Sequence, residues 1–148
     1  MKICIACSAG GHLTELLELK DFYSKHRHFF LTFERINSKN LAKEELVYFI
    51  TDPKRNPIKL IINFFQSLRI FLREKPDVVI SNGAGVAVPI AYIAKLFGKK
   101  IIFIESFCRV KTPSFSGRVF HPIADLFLVQ WPQIDRKYRK AKYAGAVI

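Results

Sequence analysis

Residues 3–24 read ICIACSAGGHLTELLELKDFYS, and their reading decides the fold. An apolar run over residues 3–7 breaks into Ser8-Ala9-Gly10-Gly11-His12, and leucines then recur at helical spacing. A strand therefore hands over to a helix through a glycine-rich turn. Glycines let the backbone turn tightly and let an anion approach, while a helix N-terminus presents free N–H donors. A turn with no ligand would use the same glycines, and both readings stand at this point.

Working outward, the same alternation continues. Short apolar runs predict strands at 2–7, 28–33, 46–50, 77–81, 100–104 and 126–130, with a last one near 143–148. Several are apolar on both faces (KIIFI, LFLVQ), as strands covered by helices on both sides are. Helices are predicted over 12–24, 38–45, 57–74, 85–97, 115–123 and 132–139. The expected fold class is α/β: one Rossmann-like domain over 1–148, with a doubly wound parallel sheet. The chain stops after the seventh strand, which suggests half of a two-domain enzyme.

The chain has 148 residues, half of them hydrophobic, and a formal net charge of +12. That excess points to a polyanionic partner: nucleic acid, an anionic membrane face or a phosphorylated ligand. No strand face pairs aromatics with flanking basics, so nucleic acid is not expected. One lysine and five apolar residues make no signal peptide, and no apolar run reaches the ~18–20 residues that span a bilayer. A peripheral protein on the cytoplasmic side is the expectation. Cys4 and Cys7 form a C-x-x-C, but on a strand they point to opposite faces, roughly 10 Å apart. With Cys108 they read as small, buried, reduced side chains. Neither a metal nor a cofactor is expected, since the histidines lack zinc-type spacing with cysteine.

In doubly wound folds ligands bind where strands end and helices begin, so three junctions matter. The first carries Ser8, Gly10, Gly11 and His12, and a neutral His12 could accept a hydroxyl proton there, or merely bond to its loop. Glu15, Glu18 and Asp21 follow three apart and read as solvated. The second junction, SNGAG, supplies Asn82, Gly83 and Gly85 as further backbone donors. The third, IESFCRVKTPSFSGR, places Glu105 and Ser106 at a strand end. Arg109, Lys111 and Arg118 follow, interleaved with Phe107, Val110 and Phe115. Neither G-x-G-x-x-G nor a P-loop is present, and Glu34 alone is a weak ribose-binding acid.

Residues 57–74, PIKLIINFFQSLRIFLRE, form the most apolar helix. Lys59, Asn63, Gln66 and Arg73 share one narrow polar face, and the apolar stripe is wider than packing on a sheet needs. With Arg69 and Lys75 it reads either as a membrane-surface element or as a core helix meeting a neighbour. A second basic cluster, Arg136, Lys137, Arg139, Lys140 and Lys142, lies near the C-terminus.

SAGGH, SNGAGVAVPIAY and FIESFCRVKTPSFSG…ADLFLVQWPQ together resemble the membrane-associated subunit of two-component glycosyltransferases. Its eukaryotic relatives help add the second N-acetylglucosamine to a dolichol-diphosphate sugar. Bacterial relatives serve capsule and exopolysaccharide assembly on undecaprenyl diphosphate. The glycine-glycine-histidine loop is similar, more distantly, to that of the N-terminal domain of MurG.

The resemblance implies the acceptor-side half of a GT-B enzyme, with a separate catalytic subunit binding the UDP-sugar. It implies a polyprenyl-diphosphate-linked sugar acceptor and an anionic membrane surface as further partners. His12 would be the catalytic base, and Glu105 would orient the acceptor sugar or support His12. Ser8, Gly10, Gly11, Asn82, Gly83, Gly85, Ser106 and Arg109 would contact acceptor and diphosphate, and Lys59, Arg69, Arg73, Phe107 and Lys111 the membrane. The eukaryotic subunit usually carries an N-terminal anchor, whereas here Met1 leads straight into the first strand, which favours the polysaccharide branch. Two alternatives remain: a free-standing dinucleotide-binding protein, and a non-catalytic scaffold that recruits its partner to the membrane.

Overall fold

The computed structural model describes residues 1–147. Strand β1 (Lys2–Ala6) lies inside a seven-stranded sheet, between β2 (Arg27–Thr32) and β4 (Val78–Ser81). The remaining strands are β3 (Val47–Phe49), β5 (Lys100–Ile104), β6 (Leu126–Val129) and β7 (Ala141–Tyr143). Every pairing is parallel, in the order β3-β2-β1-β4-β5-β6-β7. The order reverses direction between β1 and β4, so a crevice opens beyond their carboxyl ends. The turns carrying Gly10–His12 and Asn82–Gly85 both emerge there.

Alternation of side chains sorts the strands into two apolar layers. Cys4, Ala6, Phe29, Leu31, Val79 and Phe103 face one side; Ile3, Ile5, Cys7, Phe30, Ile80 and Ile104 face the other. Phe29, Phe30, Phe103, Phe120 and Phe127 are fully enclosed, and truncating a side chain of that size to alanine costs about 3–5 kcal/mol. Cys4 and Cys7 thus sit on opposite faces, and burial raises both thiols, that of Cys7 to about 12. Cys108, expected to be buried, is exposed instead.

Helix boundaries depart from expectation where backbone bonds tighten. The helix predicted over 12–24 is two, α1 (Gly11–Leu17) and α2 (Lys20–Tyr23). The Leu19 N–H reaches back only three residues, to Leu16 O at 3.1 Å, and this ends α1. Helix α3 is Ile36–Leu41. The segment 85–97 opens on a 3₁₀ turn (Gly85–Ala87) before α5 (Val88–Leu96). Helix α6 is Phe115–Phe120, capped by Ser114, whose hydroxyl accepts from Gly117 N at 2.8 Å; α7 is Pro132–Asp135. The last strand, expected near 143–148, comes earlier, and Gly145 at φ 87° turns the chain beyond it. Ile148 lies outside the described residues.

Helix α4 (Pro57–Glu74) has the predicted bounds. The Asn56 side chain accepts from Ile58 N at 2.9 Å, Pro57 follows it, and Lys75 closes the helix at φ 47°. Its orientation is the correction. Asn63 and Ser67, on the polar side, are fully buried. Asn63 Nδ2 donates to the carbonyls of Thr51 (2.8 Å) and Val86 (3.2 Å), and Gln66 Oε1 accepts from Thr51 N at 2.8 Å. The helix uses its polar groups inward, to satisfy backbone atoms of the β3–α4 loop and the 3₁₀ turn. Ile58, Ile61, Ile62, Phe65 and Leu72 are exposed in consequence. Among the described residues, no helix is long and apolar enough to cross a membrane.

Candidate active site

At the switch point a cleft of about 640 Å³ is lined by Gly11, His12, Asn82, Ser106, Phe107 and Arg109, with Thr14, Glu15, Ala84, Cys108 and Ser114–Ser116 completing it. Three strand ends converge there: α1 follows β1, the Asn82 turn follows β4, and the loop 105–114 follows β5.

His12 stands in the first turn of α1. Its Nδ1 is buried and has no hydrogen-bond partner among the described residues. Burial lowers the imidazole pKa below the ordinary 6.5 and the Arg109 guanidinium pushes the same way, while the charges of Glu15 and Glu105 oppose them. The ring is therefore neutral near pH 7 and has a free lone pair, as a general base requires. Gly83, at φ 120°, backs this ring. A Cβ there would lie 3.7 Å from His12 Cε1 and 3.1 Å from Ser116 Cβ, so only glycine lets the two loops close on each other.

Beneath His12 lies the residue that the sequence reading misplaces. Glu15, expected in solvent, is 6% exposed. Its carboxylate accepts from Phe107 N (2.9 Å), Asn82 Nδ2 (3.2 Å) and Gln130 Nε2. Asn82 Nδ2 also reaches the His12 carbonyl at 2.9 Å, and Gln130 Nε2 the Glu105 carbonyl at 3.0 Å. One buried carboxylate thus ties together α1, the ends of β4 and β6, and the loop after β5. These partners are 67 to 115 residues away in sequence, so no local spacing could reveal them.

Glu105 has the corresponding role in the layer below. It is 1% exposed, and its carboxylate accepts from Ser106 N (3.1 Å), Ser114 N (3.1 Å) and the Tyr138 hydroxyl (2.6 Å). It lies outside the cleft lining and braces both ends of the loop 106–114. Burial first, then this carboxylate, raise the Tyr138 pKa far above its ordinary value. Gly117 makes the arrangement possible: a Cβ there would overlap the Tyr138 hydroxyl and come within 2.5 Å of Glu105 Oε2. The loop is further held by the indole of Trp131, whose Nε1 donates to Phe107 O at 2.6 Å and whose ring lies 5.0 Å from the Phe107 ring.

Other expected residues fall elsewhere. Ser8 is outside the cleft lining, and Gly10 lines a separate shallow cleft with Arg35, Ile36, Asn37 and Asn40. Gly85 opens onto an apolar groove between the start of α4 and α6, beside Leu60, Val88 and Phe115. Lys59 is exposed in the first turn of α4, whereas Arg69 and Arg73 flank a cleft beside Tyr48 and Phe49 on β3. Lys111 lies in another cleft, with Arg118. Glu34 pairs with Lys39 at 3.2 Å on the surface, with both side chains more than half exposed.

This architecture is one Rossmann-like half of the GT-B type. It superposes on Acinetobacter baumannii MurG with a TM-score of 0.79 at 18% identity, over 99% of this chain and 45% of that one. The chain belongs to the family described as oligosaccharide biosynthesis protein Alg14 like, whose pattern matches residues 50–147. Its whole length is 31% identical to UDP-N-acetylglucosamine transferase subunit ALG14 of Mus musculus, and 30% identical to that of Homo sapiens, covering 83% of each.

Proposed function

We propose that this chain is the acceptor-side subunit of a two-chain UDP-sugar glycosyltransferase, acting on a polyprenyl-diphosphate-linked sugar in lipid-linked oligosaccharide or polysaccharide assembly. The observation that carries this reading is the cleft at the switch point, where a half-buried, neutral His12 stands beside Arg109 in a fold of transferase type. The relatives named as UDP-N-acetylglucosamine transferase subunits supply the reaction class. In the proposed step an acceptor hydroxyl attacks the anomeric carbon of the donor sugar, the bond to UDP breaks, and the hydroxyl proton passes to His12. Backbone N–H groups around Gly11, at the start of α1, with Arg109, face the acceptor diphosphate. The donor site belongs to a separate subunit.

Two outcomes test it. The purified chain transfers no sugar by itself, and transfer appears when the partner is added to UDP-N-acetylglucosamine and a polyprenyl-diphosphate sugar. Robust transfer without a partner overturns the two-chain reading.

The outward apolar face of α4 supports peripheral contact with the membrane, since Ile58 and Phe65 are 70% and 62% exposed beside a basic surface. Each Lys or Arg near an anionic bilayer contributes about 1 kcal/mol, and salt screens that contribution. The chain should co-sediment with anionic vesicles, less so at high salt, and weakly with neutral ones. Reversing Arg69 and Arg73 to glutamate, or Arg109 and Lys111, identifies the contacting segment. If both pairs of reversals leave binding unchanged, neither segment is the anchor.

A further inference from the structure

A second cleft, of about 630 Å³, opens beside the loop 106–114 and takes no role in the proposed transfer step. Lys111, Arg118, Lys137 and Arg139 line it together with His121 and Tyr138. They come from three separate pieces of chain: the β5–α6 loop, α6 with its C-cap His121, and the segment after α7. None of the four cations forms an ion pair with a carboxylate among the described residues; the ion pairs found there lie elsewhere. Four positive charges gathered in one concavity repel one another, and proteins keep such an arrangement where an anion relieves it.

A second, independent observation lies in the same wall. His121 Nε2 is buried and has no hydrogen-bond partner among the described residues, although buried polar atoms are nearly always paired. The ring is held in place: it stacks on Tyr138 (centroids 5.4 Å apart, 28° between planes) and meets the Phe127 ring at 5.4 Å. An oxygen-rich anion would supply the absent partner.

We infer that this cleft is a binding site for a diphosphate group, held by Lys111, Arg118, Lys137 and Arg139 with His121 as an additional hydrogen-bonding wall. A diphosphate carries more negative charge than a single phosphate ester and spans more donors, matching four cations spread over the cleft. The site is wired to the transferase cleft through one residue. Tyr138 lines the second cleft, and its hydroxyl donates at 2.6 Å to Glu105, which also holds Ser114 N at 3.1 Å in the wall of the first. The same chemistry could arrive on a soluble nucleotide or on a polyprenyl lipid.

The test uses the full chain alone, so it stands apart from any assay of sugar transfer. Inorganic pyrophosphate is titrated at constant ionic strength, with chloride as the control anion, by calorimetry and by the ¹⁵N signals of the histidine imidazoles. Saturable binding that shifts the His121 signals is expected. The double variant Arg118→Gln/Lys137→Gln should weaken it at least ten-fold, and Lys20→Gln/Lys25→Gln should leave it unchanged. Unaltered thermal unfolding of the first variant separates lost binding from lost folding. Competition by UDP identifies a nucleotide source; competition only by vesicles containing a polyprenyl diphosphate identifies a lipid source. The inference is overturned by no saturable binding, by unmoved His121 signals at saturation, by equal affinity in the Arg118/Lys137 variant, or by failure of both UDP and the lipid to compete.

Discussion

His12→Ala should slow sugar transfer by the two-chain complex ~10²–10⁴-fold, the usual scale for loss of a general base, while leaving assembly with the partner intact. The wild-type pH profile of kcat/KM provides the companion measurement. Burial and Arg109 lower the imidazole pKa, so its base form persists to below pH 6.5, and the acid limb should fall below that value. The limb attributable to His12 should vanish in the alanine variant. Near-normal turnover would make His12 a loop residue and leave the chain a scaffold for its partner.

Glu15→Ala should cost on the order of 3 kcal/mol in unfolding free energy. It leaves the Phe107 N–H without a partner and takes one acceptor each from Asn82 Nδ2 and Gln130 Nε2, which keep the His12 and Glu105 carbonyls, and a single unsatisfied buried group costs about 1–3 kcal/mol. Urea unfolding gives the cost directly. Glu15→Gln keeps one acceptor oxygen and should recover some of the stability, yet it sets an amide donor against the amide of Gln130. Its effect on His12 distinguishes positioning from mere packing. The Glu15 charge raises the His12 pKa, so removing it should move the acid limb of the rate profile to lower pH. An unchanged denaturation midpoint for Glu15→Ala would put this carboxylate back in solvent.

These two residues also mark what local sequence can and cannot say. The strands are legible because KIIFI and LFLVQ are apolar on both faces, a pattern that parallel strands under two helical layers impose. The start of α4 is legible because Asn56-Pro57 is a cap followed by a first-turn proline, and both act within a few residues. The orientation of α4 is not legible. Asn63 points inward to meet carbonyls of Thr51 and Val86, and helical periodicity ranks residues by polarity without seeing which distant backbone groups need donors. Glu15 misleads for the same reason. Its spacing with Glu18 and Asp21 describes a wet helix face, while its environment is set by residues brought over by β4, β5 and β6. At the site, the glycine turn and His12 are readable from the strand-to-helix handover. Glu105 stands out as a carboxylate at a buried strand end, but its three donors turn it away from the cleft, toward the loop it braces.

Trp131 has a practical consequence. It is the sole tryptophan of the chain, and its indole N–H is fastened to Phe107 O, on the loop that walls the cleft. Its emission therefore comes from one known place, and both the polarity around the indole and the quenching by its neighbours change whenever that loop shifts. The protein carries an intrinsic optical gauge of its own cleft, readable without a dye, a label or a coupled assay. A stopped-flow record of that emission times any shift of the loop that accompanies the arrival of a ligand.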